Sequence, residues 1–311
     1  MILLWGAPGD APLDAVAEAL LERGARARFL DQRYAARTRV MLSIATDGAL
    51  SGSISDPLGD IDVEEIGALY LRPIETTKAL QVEDPNDPVL TRGMATDATI
   101  VAWADVTAAA VVNRPAAMSP NNSKPEQLRW IARLGFAVPD TLVTTDASAA
   151  RSFRHSYENV IYKSVSGVRS IVSRLGDTDD EALENVANCP TQFQQYIPGT
   201  DVRVHVIGEA TFASEIRSAV DDYRYAARAN ASVTMAAIDL PPDFAASCVN
   251  MARAMDLHVA GIDFRRTPDG RWYCLEVNPS PGFTYYEAAT NQPITAAVSD
   301  LLVQLDRAVT A

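Results

Sequence analysis

Three side chains, Asp263, Glu276 and Asn278, have the types and the spacing of ligands for a hard divalent cation. Asp263 lies in one apolar run, and the other two lie two residues apart in the next run, after the turn 267–270. Strand side chains alternate between the faces of a sheet, so a hairpin with a turn of four or two residues places all three oxygen donors on one face. Oxygen donors without histidine or cysteine suit Mg²⁺ that takes its remaining ligands from phosphates. The pattern therefore predicts a magnesium site on the polar face of a β-hairpin.

The same hairpin predicts an apolar face that points into the core. Its expected members are Ile262, Phe264, Leu275 and Val277. The run Pro279-Ser280-Pro281-Gly282 then follows Asn278 and forms a rigid turn of small residues that lets a ligand approach closely. The alternative is a hairpin with a solvated acidic face, and that alternative gives this turn no role.

Lysine is rare in this chain, because only three of the 27 basic residues are lysines. A lysine ammonium is a compact charge that meets a phosphate end-on, whereas arginine presents a wider planar fork. Lys124 begins a predicted helix, where Ser123 and Glu126 have capping-box spacing. Lys163 ends an apolar strand and precedes the small-residue loop 164–170. Both are candidate phosphate ligands, although Lys163 at a strand end is also compatible with a solvated edge residue.

The elements that must position these residues divide the chain into an α/β segment and a following α+β region. With 311 residues, the length suggests about two folding units. Strands at 2–6 and 27–30, with a helix near 15–20 between them, predict a β-α-β start. A strand at 68–71 and a helix over about 88–110 then complete a first α/β domain, which is predicted to end near residue 115. Farther on, 191–216 is predicted to form an antiparallel meander, and a helix from Pro241 carries core residues. That core stripe is Phe244, Cys248, Met251 and Met255.

Composition and charge exclude several classes of function. Acidic residues outnumber basic ones 40 to 27, and the net charge of −13 repels nucleic acid and anionic lipid. No basic leader begins the chain, and no apolar run approaches the ~20 residues of a membrane span. The irregular cysteines and isolated histidines match neither a disulfide framework nor a zinc or Ser-His-Asp site, and no P-loop sequence is present. We therefore expect a folded cytoplasmic protein without nucleic-acid or membrane partners, whose oligomeric state, a homo-oligomer included, stays open.

Several ordered motifs resemble the ATP-grasp superfamily over about residues 115–311. They are Lys124, Val160–Gly167 (VIYKSVSG), Gln194–Arg203 (QQYIPGTDVR), Asp263 and Leu275–Pro279 (LEVNP). Within that superfamily the sequence is most similar to the glutamate-ligase (RimK-like) branch, and more closely to the microviridin-type peptide maturases. Residues 216–218, 222–224 and 282–287 carry the closer likeness.

The resemblance implies an ATP-grasp fold of mixed α/β (α+β) class in three parts. They are an N-terminal α/β pre-ATP-grasp domain at 1–115, a central subdomain at 116–190 and a C-terminal subdomain with the metal site at 191–311. The last two would clamp ATP between them.

The resemblance also implies a role for each matching residue. Lys124 and Lys163 would contact the ATP phosphates, and Ser166 and Gly167 belong to a loop that closes over them. Gln194, Gln195, Tyr196 and Ile197 would form the adenine-reading hinge, with Asp201 near the ribose. Arg203, Arg217 and Arg224 would neutralise the transferring phosphoryl group and the acyl phosphate. Asp263, Glu276 and Asn278 would hold one or two Mg²⁺, with Mn²⁺ as a substitute.

The activity that follows is an ATP-dependent carboxylate–amine or carboxylate–alcohol ligase. Such an enzyme relies on positioning and charge neutralisation, which agrees with the lack of a nucleophilic triad. The preferred substrate is a ribosomally made precursor peptide that receives ester or amide cross-links between side chains. A ligase of free amino acids or small peptides, acting on a small carboxylate substrate, is the first alternative. A small-molecule kinase and a non-catalytic ATP-sensing protein are the others.

Overall fold

The computed structural model describes residues 1–165, 173–176, 183–218 and 232–310. Its first part is a four-stranded parallel sheet in the order β2-β1-β6-β7, with a three-stranded antiparallel sheet in the order β3-β4-β5 beside it. The elements are β1 (Ile2–Gly6), α1 (Ala11–Glu22), β2 (Ala27–Asp31), β3 (Arg39–Ile44), β4 (Leu50–Asp56), β5 (Gly59–Asp62), β6 (Ala68–Arg72), α2 (Thr76–Leu80), α3 (Pro88–Val106) and β7 (Ala110–Val112).

The predicted β-α-β start is confirmed. Every residue of β1 is buried, as a strand covered on both faces requires. The α1 helix begins at an Asp10 cap, whose carboxylate accepts a hydrogen bond from the Leu13 amide, and the chain turns at Gly24 with a φ of 64°. The β3–β5 sheet was not predicted, because β4 is rich in serine and glycine and few apolar residues of the sheet are buried. Ile54 and Ile61 are buried in the core, whereas Val40, Leu42 and Leu50 are only partly buried against it.

A second sheet follows in the order β10-β9-β11-β8, with antiparallel neighbours. The helix that starts at Lys124 has Ser123 as its N-cap, but the Ser123 side chain makes no capping hydrogen bond. The predicted capping box is therefore wrong. The elements are α4 (Pro115–Met118), α5 (Lys124–Arg133), β8 (Thr141–Thr144), α6 (Ala147–His155), β9 (Val160–Ser164), β10 (Ser173–Arg174) and β11 (Thr191–Gln195).

The predicted meander over 191–216 is confirmed only for its last two strands, which pair with each other in antiparallel orientation, and the inclusion of its first strand is wrong. The β11 strand pairs with β8 and β9, whereas the next strands belong to a five-stranded antiparallel sheet in the order β14-β13-β12-β15-β16. The chain changes sheets across 196–199, where Pro198 and Gly199 interrupt the strand pattern. The remaining elements are β12 (Thr200–Ile207), β13 (Ala210–Ser218), β14 (Val233–Ile238), α7 (Pro242–Ala254), β15 (Val259–Arg266), β16 (Trp272–Asn278), α8 (Thr284–Thr290) and α9 (Ile294–Thr310).

One face of the five-stranded sheet packs on α7. The predicted core stripe of α7 is confirmed, since Cys248, Met251 and Met255 are buried and Phe244 packs against the same cluster. Val202, Val204 and Ile262 supply the sheet side of this core. The opposite face of the sheet is therefore the one that can present polar side chains to a ligand.

The last helix returns to the first part of the chain. Ile294, Val298 and Leu302 of α9 are fully buried in one cluster with apolar residues of α1, β1 and β6. Ile207 and Val259, at the near end of the five-stranded sheet, join the same cluster. One apolar core thus connects the two ends of the sequence. No helix in the described part of the chain is long and apolar enough to cross a membrane.

Candidate active site

A β-bulge in the β15–β16 hairpin brings the three predicted metal ligands to one face. The loop has five residues (267–271) rather than four or two, and Phe264 pairs with Cys274. If this register continued along the hairpin, the Glu276 side chain would point into the core. The pairing shifts at Leu275, so that Asp263 lies opposite Glu276. The predicted common face is confirmed, but Leu275 is only half-buried and Cys274 takes its place in the core.

The cross-strand neighbour of Asp263 on its other side is Arg203 of β12. The guanidinium Nη1 donates to Asp263 Oδ1 at 2.7 Å, and the Arg203 side chain is only 6% exposed. Gly261 makes room for it, because a Cβ there would lie 2.2 Å from Arg203 Nη2. Arg203 is thus held in the polar face beside the predicted metal ligands.

His205 and Tyr286 pack around the other side of this arginine. The ring centroids of His205 and Tyr286 are 4.9 Å apart in an edge-to-face arrangement, and the Arg203 guanidinium lies 5.6 Å from the Tyr286 ring centre. Burial lowers the pKa of His205 well below its usual value, and the nearby Arg203 charge lowers it further. Its surroundings therefore disfavour the charged form of His205, and its ring packs beside the arginine.

Two buried amides hold the hairpin in place from outside its sheet. Gln127 of α5 donates from Nε2 to the Val277 carbonyl at 2.7 Å and accepts from the Val277 amide at 3.1 Å, so its side chain acts as a further strand on the edge of β16. Asn113, next to β7, donates to the carbonyls of Val259 and Pro279 and accepts from the amides of His258 and Val259. Every hydrogen-bonding site of the Asn113 amide is occupied.

Arg72 fixes the loop after Asn278 to the first part of the chain. Its Nη1 donates to Ser280 Oγ at 3.1 Å and to the Pro281 carbonyl at 3.0 Å, while Asp10 accepts from Nε and Nη2. The amide of Ser280 also donates to Asn278 Oδ1 at 2.9 Å. The turn after Asn278 is therefore anchored on both sides.

A second polar face lies on the four-stranded sheet. Strand register places Lys163, Gln192 and Gln194 on the same side, away from the apolar cluster around Phe193. Lys163 Nζ lies 3.4 Å from Gln194 Oε1, and Gln194 donates to Thr141 at 3.0 Å. Gln192 is fully buried, and neither atom of its amide has a hydrogen-bond partner in the described part of the chain. The other candidate lysine, Lys124, is the first residue of α5.

The predicted hinge begins within β11, which ends at Gln195, and continues into the residues after it. The backbone amides of Gln195 and Tyr196 donate to the carbonyls of Asp140 and Asn159, and Ile197 is buried. Two guanidinium groups lie near the Tyr196 ring, that of Arg174 at 4.2 Å and that of Arg265 at 5.6 Å from its centre. Asp201, predicted near the ribose, forms an ion pair with Arg265 at 3.0 Å.

The structure does not bring Arg217 to the face that carries Arg203. Cross-strand register sets Arg203 opposite Ser214, so Glu215 and Arg217 lie on the other face of β13. Arg217 contacts Glu215 at 2.8 Å and its side chain is 76% exposed, and Arg266 contacts the second oxygen of Glu215. Ser166, Gly167 and Arg224 lie outside the described residues.

The oxygen donors fit a magnesium ion by their chemistry. Among the described residues, no group of three or more His, Cys, Asp or Glu side chains could hold a metal, so the set depends on the Asn278 amide as its third donor. The Glu276 carboxylate makes no ion pair with any described residue, whereas the Asp263 carboxylate forms an ion pair with Arg203. Two carboxylates and an amide that leave positions for phosphate and water are typical of Mg²⁺.

Four residues that hold this site were not predicted: Arg72, Asn113, Gln127 and Gly261. Each contacts backbone or side-chain atoms of residues far away in the sequence, so the local spacing of residues does not indicate its role. Only the position of Asn113, directly after the buried pair Val111-Val112 and before Arg114-Pro115, hints at a polar residue at a sheet edge.

Comparison with known proteins identifies the family. A profile described as the RimK-like ATP-grasp domain matches residues 121–302. A probable alpha-L-glutamate ligase of Saccharophagus degradans is 29% identical over 205 residues, which cover 61% of this chain and 66% of that ligase. The chain thus spans just under two thirds of the length of this curated relative.

Solved structures match nearly the whole chain. The ATP-grasp ligase PsnB, complexed with a phosphomimetic variant of its minimal precursor, Mg and ADP, is 28% identical with a TM-score of 0.82, and 98% of each chain is covered. The macrocyclase MdnC from Microcystis aeruginosa MRC, bound with precursor peptide MdnA, is 23% identical with a TM-score of 0.81, and the match covers 97% of this chain and 99% of MdnC. The likeness to MdnC shows the fold alone, and the predicted ATP-grasp fold is confirmed.

Proposed function

Because the chain belongs to the RimK-like ATP-grasp family, we propose that it is an ATP-dependent ligase that joins a carboxylate to an amine or a hydroxyl group. The observation that carries this proposal is the common face of Asp263, Glu276 and Asn278, with Arg203 held beside Asp263 at 2.7 Å. Such a face concentrates oxygen ligands and a fixed positive charge at one place, as phosphoryl transfer from ATP requires.

The chemistry has two steps. A carboxylate oxygen attacks the γ-phosphorus of ATP, the bond to ADP breaks, and an acyl phosphate forms. An amine or hydroxyl group then attacks the acyl carbon, inorganic phosphate leaves with the bonding electrons, and the nucleophile loses its proton to solvent. The chain contributes the positive charge of Arg203 and of Lys124 and Lys163, and it orients the reacting groups.

Asp263, Glu276 and Asn278 would hold one or two Mg²⁺, which would supply positive charge next to the phosphates. Mn²⁺ accepts the same oxygen donors and should replace it. We assign adenine to the hinge 194–197, the ribose to Asp201 and closure over the phosphates to Ser166 and Gly167. Arg217 and Arg224 remain proposed contacts of the acyl phosphate, and for Arg217 this role requires movement from its pair with Glu215.

We propose that the substrate is a precursor peptide whose side chains become joined by ester or amide bonds. PsnB, with a match over 98% of both chains, was solved with a minimal precursor, and this supports the choice. The likeness to probable glutamate ligases supports the alternative of free amino acids or small peptides. A reaction of either kind places the protein in the cytoplasm, where ATP is supplied. The domain limits proposed for this enzyme are 1–115, 116–190 and 191–311.

The decisive experiment supplies the purified protein with ATP, Mg²⁺, a candidate acidic peptide and hydroxylamine. A ligase gives a hydroxamate with hydroxylamine, and without it the peptide loses one water for each link while phosphate is released. Glu276→Gln should abolish both products but leave the fold intact. A stable gain of one phosphoryl group without free phosphate would instead establish a kinase. Absence of any ATP-dependent product would exclude the proposed ligase.

A further inference from the structure

A cavity of about 420 Å³ lies on the outer face of the β3–β5 sheet, in the first part of the chain. Three arginines line it, each from a different element. Arg37 ends the short 3-10 helix after β2, Arg39 is the first residue of β3, and Arg92 lies near the start of α3. We call this feature the arginine cavity.

Strand register defines the floor of the arginine cavity. Arg39 pairs with Ser55, and Ser55 pairs with Asp60, so these three side chains form a row across the outer face of the sheet. The opposite face carries Ile54 and Ile61 in the core. The cavity is therefore built on a packed sheet.

None of the three guanidinium groups has a hydrogen bond or an ion pair with any described residue, and that of Arg37 lies 5.8 Å from the centre of the Tyr34 ring. The carboxylate of Asp56, also in the lining, is engaged by Arg28 at 2.5 Å and by the Leu58 amide at 2.8 Å. By contrast, the exposed Arg26 and Arg271 each form an ion pair with an acidic residue.

Three unneutralised guanidinium groups around one cavity repel each other and attract an anion. The planar guanidinium matches a carboxylate in a bidentate arrangement. The cavity has room for one or two side-chain carboxylates, and Asp60 reduces its positive charge, which favours singly charged groups over a doubly charged phosphate. The net charge of −13 opposes a long nucleic acid or an anionic membrane.

We propose that the arginine cavity binds carboxylate side chains of an acidic peptide segment, and so holds the substrate peptide at a place other than the reacting centre. The identity of that peptide as the substrate rests on the proposed function, whereas the binding of carboxylates at the cavity does not. Such a second contact would lower the KM for a peptide without changing the chemical step.

The binding test uses a fluorescein-labelled hexaglutamate peptide and fluorescence anisotropy at low ionic strength, without ATP. The wild type should bind hexaglutamate and not hexaglutamine, and the affinity should fall as salt is added. The double variant Arg39→Gln/Arg92→Gln should bind at least about 10-fold more weakly, since two of three charges are lost. The matched control Arg26→Gln/Arg271→Gln removes two exposed arginines elsewhere, with side chains 71% and 68% exposed, and should bind like the wild type.

Equal hexaglutamate binding by the wild type and the Arg39→Gln/Arg92→Gln variant would overturn the proposal. Displacement of the peptide by inorganic phosphate at concentrations where acetate has no effect would overturn it too, by showing a phosphate site. With a peptide substrate in hand, the double variant should raise KM and leave kcat unchanged. If the wild type released no phosphate from ATP, the proposed ligase function would be excluded. The proposal for the arginine cavity would still stand, because hexaglutamate binding is measured without ATP.

Discussion

The position of the Arg203 side chain depends on Gly261, which has no Cβ. A Cβ on Gly261 would lie 2.2 Å from Arg203 Nη2 and 2.7 Å from Pro281 Cβ, so the guanidinium occupies space that such a side chain would need. The Asp263 carboxylate then fixes its direction. A glycine in the middle of a strand normally weakens that strand. Here the missing side chain leaves room for the buried Arg203 to reach the polar face.

Gly261→Ala should therefore displace Arg203 and lower ATP-dependent phosphate release by about 100-fold, as misplacement by about 1 Å does in a charge-dependent site. Phosphate release under saturating ATP and peptide measures the effect. Circular dichroism and the thermal midpoint check that the sheet remains folded. Unchanged turnover in a variant with a normal midpoint would show that the position of Arg203 is not important for the reaction.

His205 makes stability depend on pH. Burial keeps its pKa in the folded protein well below 6.5, while an unfolded histidine has a pKa of about 6.5. Below pH 6.5 the unfolded state therefore binds a proton that the folded state excludes, so the free energy of unfolding falls as the pH falls through this window, and the penalty is absent above it.

His205→Phe should remove this dependence and keep the contact with Tyr286. Between pH 7.5 and pH 5.5, the stability of the variant relative to the wild type should rise by about 1 kcal/mol. Urea unfolding at the two pH values, with EDTA present, gives the difference, in which contributions from other histidines cancel. A constant difference would mean that the pKa of His205 is the same in the folded and unfolded states.

At the scale of elements, the hairpin shows what sequence can and cannot predict. The alternation of residues around Asp263 and Glu276 indicated correctly that both carboxylates share one face. The loop length and the bulge at Leu275 were not predicted, since Thr267 closes the turn through hydrogen bonds with the Arg271 backbone that no spacing rule reveals. The two errors compensate, because the extra loop residue and the bulge each shift the register by one.

Pairing between distant strands was harder to predict. The β11 strand reads like its successors, but it joins β8 and β9, which precede it by dozens of residues. The face of β13 that carries Arg217 could not be predicted for the same reason, because it depends on the register of β13 against β12. Local pattern defines an alternating strand, whereas tertiary pairing decides which of its two faces meets the ligand.

Gln127 pairs with the outer edge of β16 at Val277, and its loss should loosen the strand that carries Glu276 and Asn278. Gln127→Leu keeps the volume but leaves the Val277 amide and carbonyl without partners, so it should lower the free energy of unfolding by about 1–3 kcal/mol and weaken Mg-ATP binding. Urea unfolding and nucleotide titration measure both effects.

The matched control is Gln192→Leu, the same exchange at another buried glutamine. The Gln192 amide has no hydrogen-bond partner in the described part of the chain, so leucine should leave stability unchanged or raise it. Equal destabilisation by the two substitutions would show that the edge contacts of Gln127 contribute nothing specific.

At the scale of the whole molecule, the first 115 residues do not possess a complete core. The α9 residues Ile294, Val298 and Leu302 cover apolar side chains of α1, β1 and β6. The sequence predicted the α/β segment correctly, but it gave no indication that a helix from the other end of the chain would cover one face of its sheet.

The fragment 1–115, expressed alone, should therefore show no cooperative unfolding transition in urea. In the full chain, Leu302→Ala should lower the free energy of unfolding by about 2–5 kcal/mol, as expected for a fully buried leucine. Circular dichroism follows both transitions. A fragment that unfolds cooperatively near the midpoint of the full chain would establish that residues 1–115 are an independent domain.

The position of α9 has a consequence for biosynthesis. Roughly 180 residues separate the end of β7 from the start of α9, and a ribosome adds ~5–20 residues per second. The apolar face of the first sheet therefore stays uncovered for about 10–40 s after its last strand has been made. During that interval the nascent chain exposes the apolar side chains of Leu4, Leu13 and Tyr70 to solvent. We therefore expect ribosome-associated chaperones to bind the nascent chain before α9 emerges.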